Sequence, residues 1–244
     1  MIIYPSQEAR MSKSIAVFGA GPGLGQAVAR RYAHEGYQVV LVGRRRELLD
    51  AFARDLAGAG ARVHVLTANL ADTETVAALA EQVRDAVGGL DAFYYAPTPD
   101  GGFVSATDLT ARQAADFMPL AVYSLIALIQ QFLPHMLEQG GGAILTAQGA
   151  SALHGIPNLS GPGPAQAAQR NYLQSLHAEL AAKGVYIGAL YIGATIENSA
   201  FHTSLTSDPD AQTWGPTVHP DHLADLLWTM HSTREEGETV YPDR

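Results

Sequence analysis

The chain contains no cysteine. That excludes a disulfide framework, a thiolate nucleophile and any cysteine-based zinc site. It fits a reducing cytoplasm, where the protein is expected to reside. Lysine is almost missing as well, with only Lys13 and Lys183. Charged residues make up 16% of the chain and the net charge is -9, so the basic face that nucleic acid or an anionic membrane requires is not available beyond Arg44, Arg45 and Arg46. No uninterrupted apolar run reaches about 18 residues, and the start of the chain lacks the basic-then-apolar order of a signal peptide. No His, Asp or Glu spacing suits a metal, since His219 and His222 have Pro220 between them and no evident third ligand.

What is present is a chain of 244 residues, 47% of them hydrophobic, enough to bury the core of one α/β domain. Residues 1–12, with Pro5 and no period, read as an extension ahead of residues 13–244. Residues 14–18 form an apolar run that leads into Gly19-Ala20-Gly21-Pro22-Gly23-Leu24-Gly25 and a helical stripe of Leu24, Ala27, Val28 and Tyr32. Glycines at a strand-to-helix turn let a pyrophosphate approach the helix N-terminus, where free N–H groups and the dipole favour an anion.

The next apolar run, 38–42, ends at Gly43-Arg44-Arg45-Arg46 without an acid. An acid there would accept from the ribose 2′-hydroxyl of NAD, whereas arginine suits a 2′-phosphate, so the site favours NADP(H) over NAD(H), with Arg44 first and Arg45 second. Arg46 reads as a solvated helix residue. Leu48, Leu49, Phe52 and Leu56 mark a second helix and 62–67 a third strand, followed by Asn69-Leu70-Ala71-Asp72 and a third helix capped by Asp72 or Thr73. Residues 92–95 make a fourth strand ending in a loop of turn formers, 96–102. Residues 120–137 are apolar almost all round, which calls for cover on more than one side. Residues 143–146 and 185–191 are further strands, Pro164 enters a long helix at its first turn, and a last helix and short strand close the chain. This alternation predicts a doubly wound, Rossmann-type parallel sheet of about seven strands with helices on both faces and ligands outside the strands' C-terminal ends.

In this order the motifs resemble the short-chain dehydrogenase/reductase family over residues 14–241. The carriers are Gly19, Gly23 and Gly25 in a Gly-x-x-x-Gly-x-Gly turn, Arg44, Asn69-Leu70-x-Asp72, Leu133-Pro134-His135-Met136, Gly142-Ala143-Ile144-Leu145 and Ile192-Gly193. The resemblance implies a cofactor held by Gly19, Gly23, Leu24, Gly25, Arg44, Arg45, Asn69, Leu70, Ala96, Gly193 and Thr195. Asn69 stands where the family carries an Asp that meets the adenine amino group. Tyr94-Tyr95-Ala96-Pro97 replaces Asn-Asn-Ala-Gly, and the region near Ala121 lacks the family's relay asparagine.

The family's catalytic Ser, Tyr and Lys positions align with Gly149, Pro162 and Gln166. With only Lys13 and Lys183 in the chain, no shift of register restores Tyr-x-x-x-Lys. Reduction of a carbonyl needs a positioned acid and a cation that lowers its pKa; proline and glutamine supply neither. His154 is the candidate substitute, against a reading as a loop histidine in water. Ser151, Ser160, Tyr94, Tyr95, Tyr191, Gln148 and Gln166 could contact a ligand. Residues 196–219, with Phe201, His202 and Trp214, read as a lid over a small organic molecule. Two functions stay open: a divergent NADP(H)-binding oxidoreductase with a non-standard proton donor, or a catalytically silent protein on the same scaffold. The helices at 120–137 and 164–182 are expected to build a homodimer or homotetramer.

Overall fold

A computed structural model describes residues 12–207 and 215–243. The extension expected over 1–12 lies outside the described residues except for Ser12, and so does Trp214. The elements follow in the order β1 (Ser14–Phe18), α1 (Leu24–His34), β2 (Gln38–Gly43), α2 (Arg46–Gly58), β3 (Val63–Thr67), α3 (Val76–Val87), β4 (Ala92–Tyr95), α4 (Ala111–Met118) and α5 (Ser124–Glu138). The chain continues through β5 (Gly142–Gly149), α6 (Gly163–Leu180), β6 (Val185–Ile192), β7 (Thr195–Ile196), α7 (Ala200–Ser207), β8 (Thr217–Val218), α8 (Pro220–Thr233) and β9 (Glu238–Tyr241).

Seven strands pair in the order β3-β2-β1-β4-β5-β6-β9, every pair parallel. The order reverses between β1 and β4, which opens a crevice at their C-terminal ends. Residues 15–18, 39–42 and 143–145 are fully buried, as a sheet covered on both faces requires. One core lies under α3, α5 and α6, around Phe18, Phe93 and Phe132; the other lies under α1, α2 and α8, around Tyr32, Tyr94 and Leu190. The architecture is a Rossmann-like α/β sheet.

Two helical expectations change. Leu48 is 44% exposed, because the stripe of α2 that meets the sheet is Leu49, Phe52 and Leu56, and Leu48 sits to one side of it. The apolar stretch 120–137 is the later part of a longer helical run, Ala111–Glu138, broken by a π-helical turn at Pro119–Tyr123. Pro119 has no N–H to bond the preceding turn, and that loss accommodates the wider turn. This run is long and apolar enough by length and composition to cross a membrane. Its inner face, Leu125, Leu128, Ile129, Phe132 and Met136, is buried against the sheet and α3. Tyr123 and Leu137 on the other side are exposed.

Candidate functional site

The turn between β1 and α1 is closed by backbone. Gly19 and Gly23 hold φ of +101° and +89°, conformations that side chains rarely adopt. A Cβ on Gly25 would stand 2.1 Å from the Gly19 carbonyl oxygen, so only glycine fits. The N–H groups of Gly19 and Ala20 donate to Val42 O at 3.0 Å, tying the turn to β2. The first turn of α1 has no side-chain cap and no acid. It is a positive helix end with free donors, a cradle that fits a pyrophosphate. Leu24 is buried there and fixes the helix on its core. Ser199, just before α7, lies against Gly23, so the start of the segment expected to act as a lid borders this turn.

At the end of β2, Arg44 reaches across to Asp100 in the loop after β4, with Nη2 donating to Oδ1 at 2.9 Å and Nη1 donating to Oδ2. Arg45 is exposed and opens α2, while Arg46 pairs with Asp50 one turn on, the solvated role read for it. The Oδ1 of Asn69 accepts from Ala71 N at 3.2 Å, turning the chain after β3; its Nδ2 is a donor. Leu70 is buried and its carbonyl accepts from Ser124 Oγ. Ala96 N donates to Phe18 O, which brings the β4 loop beside Gly19. Gly193 is exposed and its N–H donates to Tyr241 O at 2.7 Å; Thr195 is 5% exposed, held in the β7–β8 pair. All the predicted nucleotide residues therefore sit at the C-terminal edge of the sheet.

Beside them is a cleft of about 40 Å³ lined by Tyr95 to Pro97, Pro99, Phe117, Leu120, Ala121, Ala147, Gln148, Pro162, Gln166 and Gln169. Gly161 lets the approach to α6 pack closely on the β4 loop: a Cβ there would lie 2.4 Å from Gly102 O, and Ser160 N donates to Val104 O. Pro162 caps α6, and Gln166 follows one turn later with Ser151 Oγ donating to its Oε1 at 3.2 Å. A Cβ on Gly149 would meet that same Oε1 at 3.3 Å; the glutamine amide fills space next to the glycine. Gln169 Nε2 donates to Ala121 O at the π-helical turn. Gln148 is 6% exposed, and neither its Oε1 nor its Nε2 has a partner.

Among the described lining residues Tyr95 alone carries a titratable side chain. Its hydroxyl donates to Leu120 O, and burial pushes the phenol far above its ordinary value, away from useful acidity at neutral pH. Tyr94 is fully buried and raised for the same reason. Tyr191 donates to Glu238 Oε1 at 3.0 Å and is also raised, chiefly by burial. His154 is exposed and is not among the residues lining the cleft. His202 lies on α7 beside Phe201, which meets Phe103 of the β4 loop edge-on at 5.7 Å. Lys183 is exposed beyond the far end of α6. The sequence reading missed Asp100 and Gln169. Asp100 stood among turn formers, and Gln169 was hidden in a helical pattern.

Residues 13–208 match the short chain dehydrogenase family. The chain is 26% identical over 256 residues to a glucose 1-dehydrogenase of Gluconobacter oxydans, covering 98% of this chain and 93% of that one. L-sorbose reductase from Gluconobacter frateurii, solved with NADPH and L-sorbose, superposes with a TM-score of 0.79 at 22% identity and 94% coverage of both chains. An NADPH-bound short chain oxidoreductase of Pseudomonas aeruginosa, described as containing an atypical catalytic center, superposes at 0.81 with 21% identity, covering 93% of this chain and 94% of that one.

Proposed function

Because the chain belongs to the short-chain dehydrogenase family, we propose that it is an NADP(H)-binding member whose pocket orients a small organic ligand without the family's proton relay. The α1 N-terminus would hold the pyrophosphate, Arg44 with Arg45 the 2′-phosphate, Asn69 and Leu70 the adenine edge, and Ala96, Gly193 and Thr195 the nicotinamide half. NADPH would supply a hydride there. The observation that carries the reading is the cleft lining: apart from Tyr95, whose hydroxyl is engaged by Leu120 O, it is neutral amide, proline and apolar surface where acid and cation are required. Gln148 and Gln166 can orient a carbonyl but cannot protonate it. Hydride transfer in this site therefore depends on a proton from water or from the substrate.

The silent-scaffold reading is favoured by one feature, the Tyr95 hydroxyl committed to Leu120 O rather than to the cleft. Transfer from isotopically labelled NADPH across a carbonyl panel separates the two. Product carrying the label identifies an oxidoreductase; tight NADPH binding with no labelled product identifies the silent form. The exposed Tyr123 and Leu137 beside a buried inner face support self-association through α5 and α6. Light scattering is expected to give a dimer or tetramer.

A further inference from the structure

The loop after β4 crosses the crevice at the end of the sheet. β1 lies between β2 and β4, with Phe18 in register with both Val42 and Tyr95. The ion pair between Arg44, which follows β2, and Asp100, in the loop after β4, therefore spans the C-terminal end of β1, across flanking strands about 10 Å apart. The Gly19 turn begins at that end, and a sheet of this order takes its nucleotide there. The pair is a bar over the cradle, made by the same arginine that the cofactor reading needs. On the other rim Ser199, just before α7, rests on Gly23, and Phe201 of α7 meets Phe103 of the β4 loop edge-on, with centroids 5.7 Å apart. The β4 loop thus touches both rims of one cradle.

The loop is fixed at its ends and loose between them. At one end Ala96 N donates to Phe18 O, and a Cβ on Gly19 would meet Ala96 and Pro97 at 2.9 Å. At the other, Val104 O accepts from Ser160 N at 3.0 Å. Among the described residues, 97–103 make no backbone hydrogen bond to the rest of the fold. Pro97 and Pro99 stiffen the arm that carries Asp100, and Gly101, at φ +114° beside the Phe117 ring, supplies the bend behind it. A stretch held mainly by exposed side-chain contacts belongs to the low-stability end of a fold. We propose that residues 97–103 are a strap that shuts the cofactor crevice in the empty protein. Arg44–Asp100 latches it on one rim and Phe103–Phe201 on the other, and it must lift for NADP(H) to enter. Lifting frees Arg44 to meet the 2′-phosphate, so an occupied site stays unlatched. This rests on the cofactor reading above, and part of the test is therefore made without cofactor.

Because the chain has no cysteine, spin labels go selectively to Thr98→Cys on the strap and Glu47→Cys on α2, both exposed positions. In the cofactor-free full chain, pulsed dipolar spectroscopy is expected to show one short separation. Adding Phe103→Ala should bring in a longer one, and NADPH should convert the parent to the longer one. Stopped-flow fluorescence gives the second reading: Phe103→Ala is expected to raise the association rates of both NADPH and NADH about threefold or more, since entry scales with the open fraction. Asp100→Asn should raise both as well, but it also removes a negative charge facing an anionic ligand, so the charge-neutral Phe103→Ala decides. The same single separation in the parent and in Phe103→Ala overturns the strap. Unchanged association in Phe103→Ala overturns the gate and leaves only competition between Asp100 and the 2′-phosphate for Arg44. Failure to bind either cofactor sinks the cofactor reading alone, because the cofactor-free separations still decide the strap.

Discussion

Asp100 holds Arg44: the Arg44 Nη2 donates to Asp100 Oδ1 at 2.9 Å, joining the end of β2 to the loop after β4. The arginine assigned to a 2′-phosphate thus already has an anion on it. Both side chains are exposed, and such pairs are worth about 0–1 kcal/mol, so a phosphate dianion can displace the carboxylate. Asp100→Asn is expected to tighten NADPH binding about threefold to fivefold, and Arg44→Ala to weaken NADPH far more than NADH. Hydrogen bonding and charge from Arg44 hold the Asp100 carboxyl below its ordinary range, so the competition persists at neutral pH and ends only as pH falls through that lowered value. Fluorescence titrations of the variants check this.

The proposed nucleotide half of the site rests on signals that are local in the sequence. Gly19, Gly23 and Gly25 are adjacent in sequence and dictated by backbone geometry, and Arg44 ends a strand. The reaction half depends on residues far apart in the chain. Gln148, Gln166 and Gln169 meet only when α6 lies across β5 and the π-helical turn, and Asp100 meets Arg44 only when two loops converge. Leu48 shows the same limit on a smaller scale, since the amphipathic stripe does not say which flanking residue stays in water.

Placing Ser, Tyr and Lys at the positions aligned with the family's catalytic residues tests the proposal that the pocket works without a proton relay. Pro162 sits at φ -78°, which any residue adopts, and the neighbours of the Gly149 Cβ position are flexible side chains, Gln166 and Ser151. Gly149→Ser with Pro162→Tyr and Gln166→Lys is therefore expected to raise ketone reduction by about a hundredfold or more, the usual contribution of a positioned general acid. Steady-state NADPH consumption with a small cyclic ketone measures it.

Gln148→Leu removes an unpartnered buried amide at similar volume. In the cofactor-free protein it is expected to stabilise the fold by about 1–3 kcal/mol. A denaturant midpoint shifted upward with an unchanged slope is the expected outcome.

The aromatic cluster on the opposite face sets an acid limit. His231 is 8% exposed and shares a 2.8 Å hydrogen bond with the Tyr32 hydroxyl. Burial, with smaller effects from Arg234 and Lys13, lowers its pKa from 6.5 to about 4. The unfolded chain therefore binds the proton first, and stability is full above pH 6.5 and declines as pH falls towards about 4, by roughly 3 kcal/mol in total. His231→Gln should flatten this part of the stability profile in acid titrations followed by circular dichroism.

The most direct test of the central claim, an NADP(H) cradle without a proton relay, is a paired titration of the cofactor-free protein with NADPH and NADH. The account predicts NADPH binding at least about tenfold tighter, since a 2′-phosphate gains charge-assisted contacts from arginine. Equal affinities for both, or no binding of either, would contradict it.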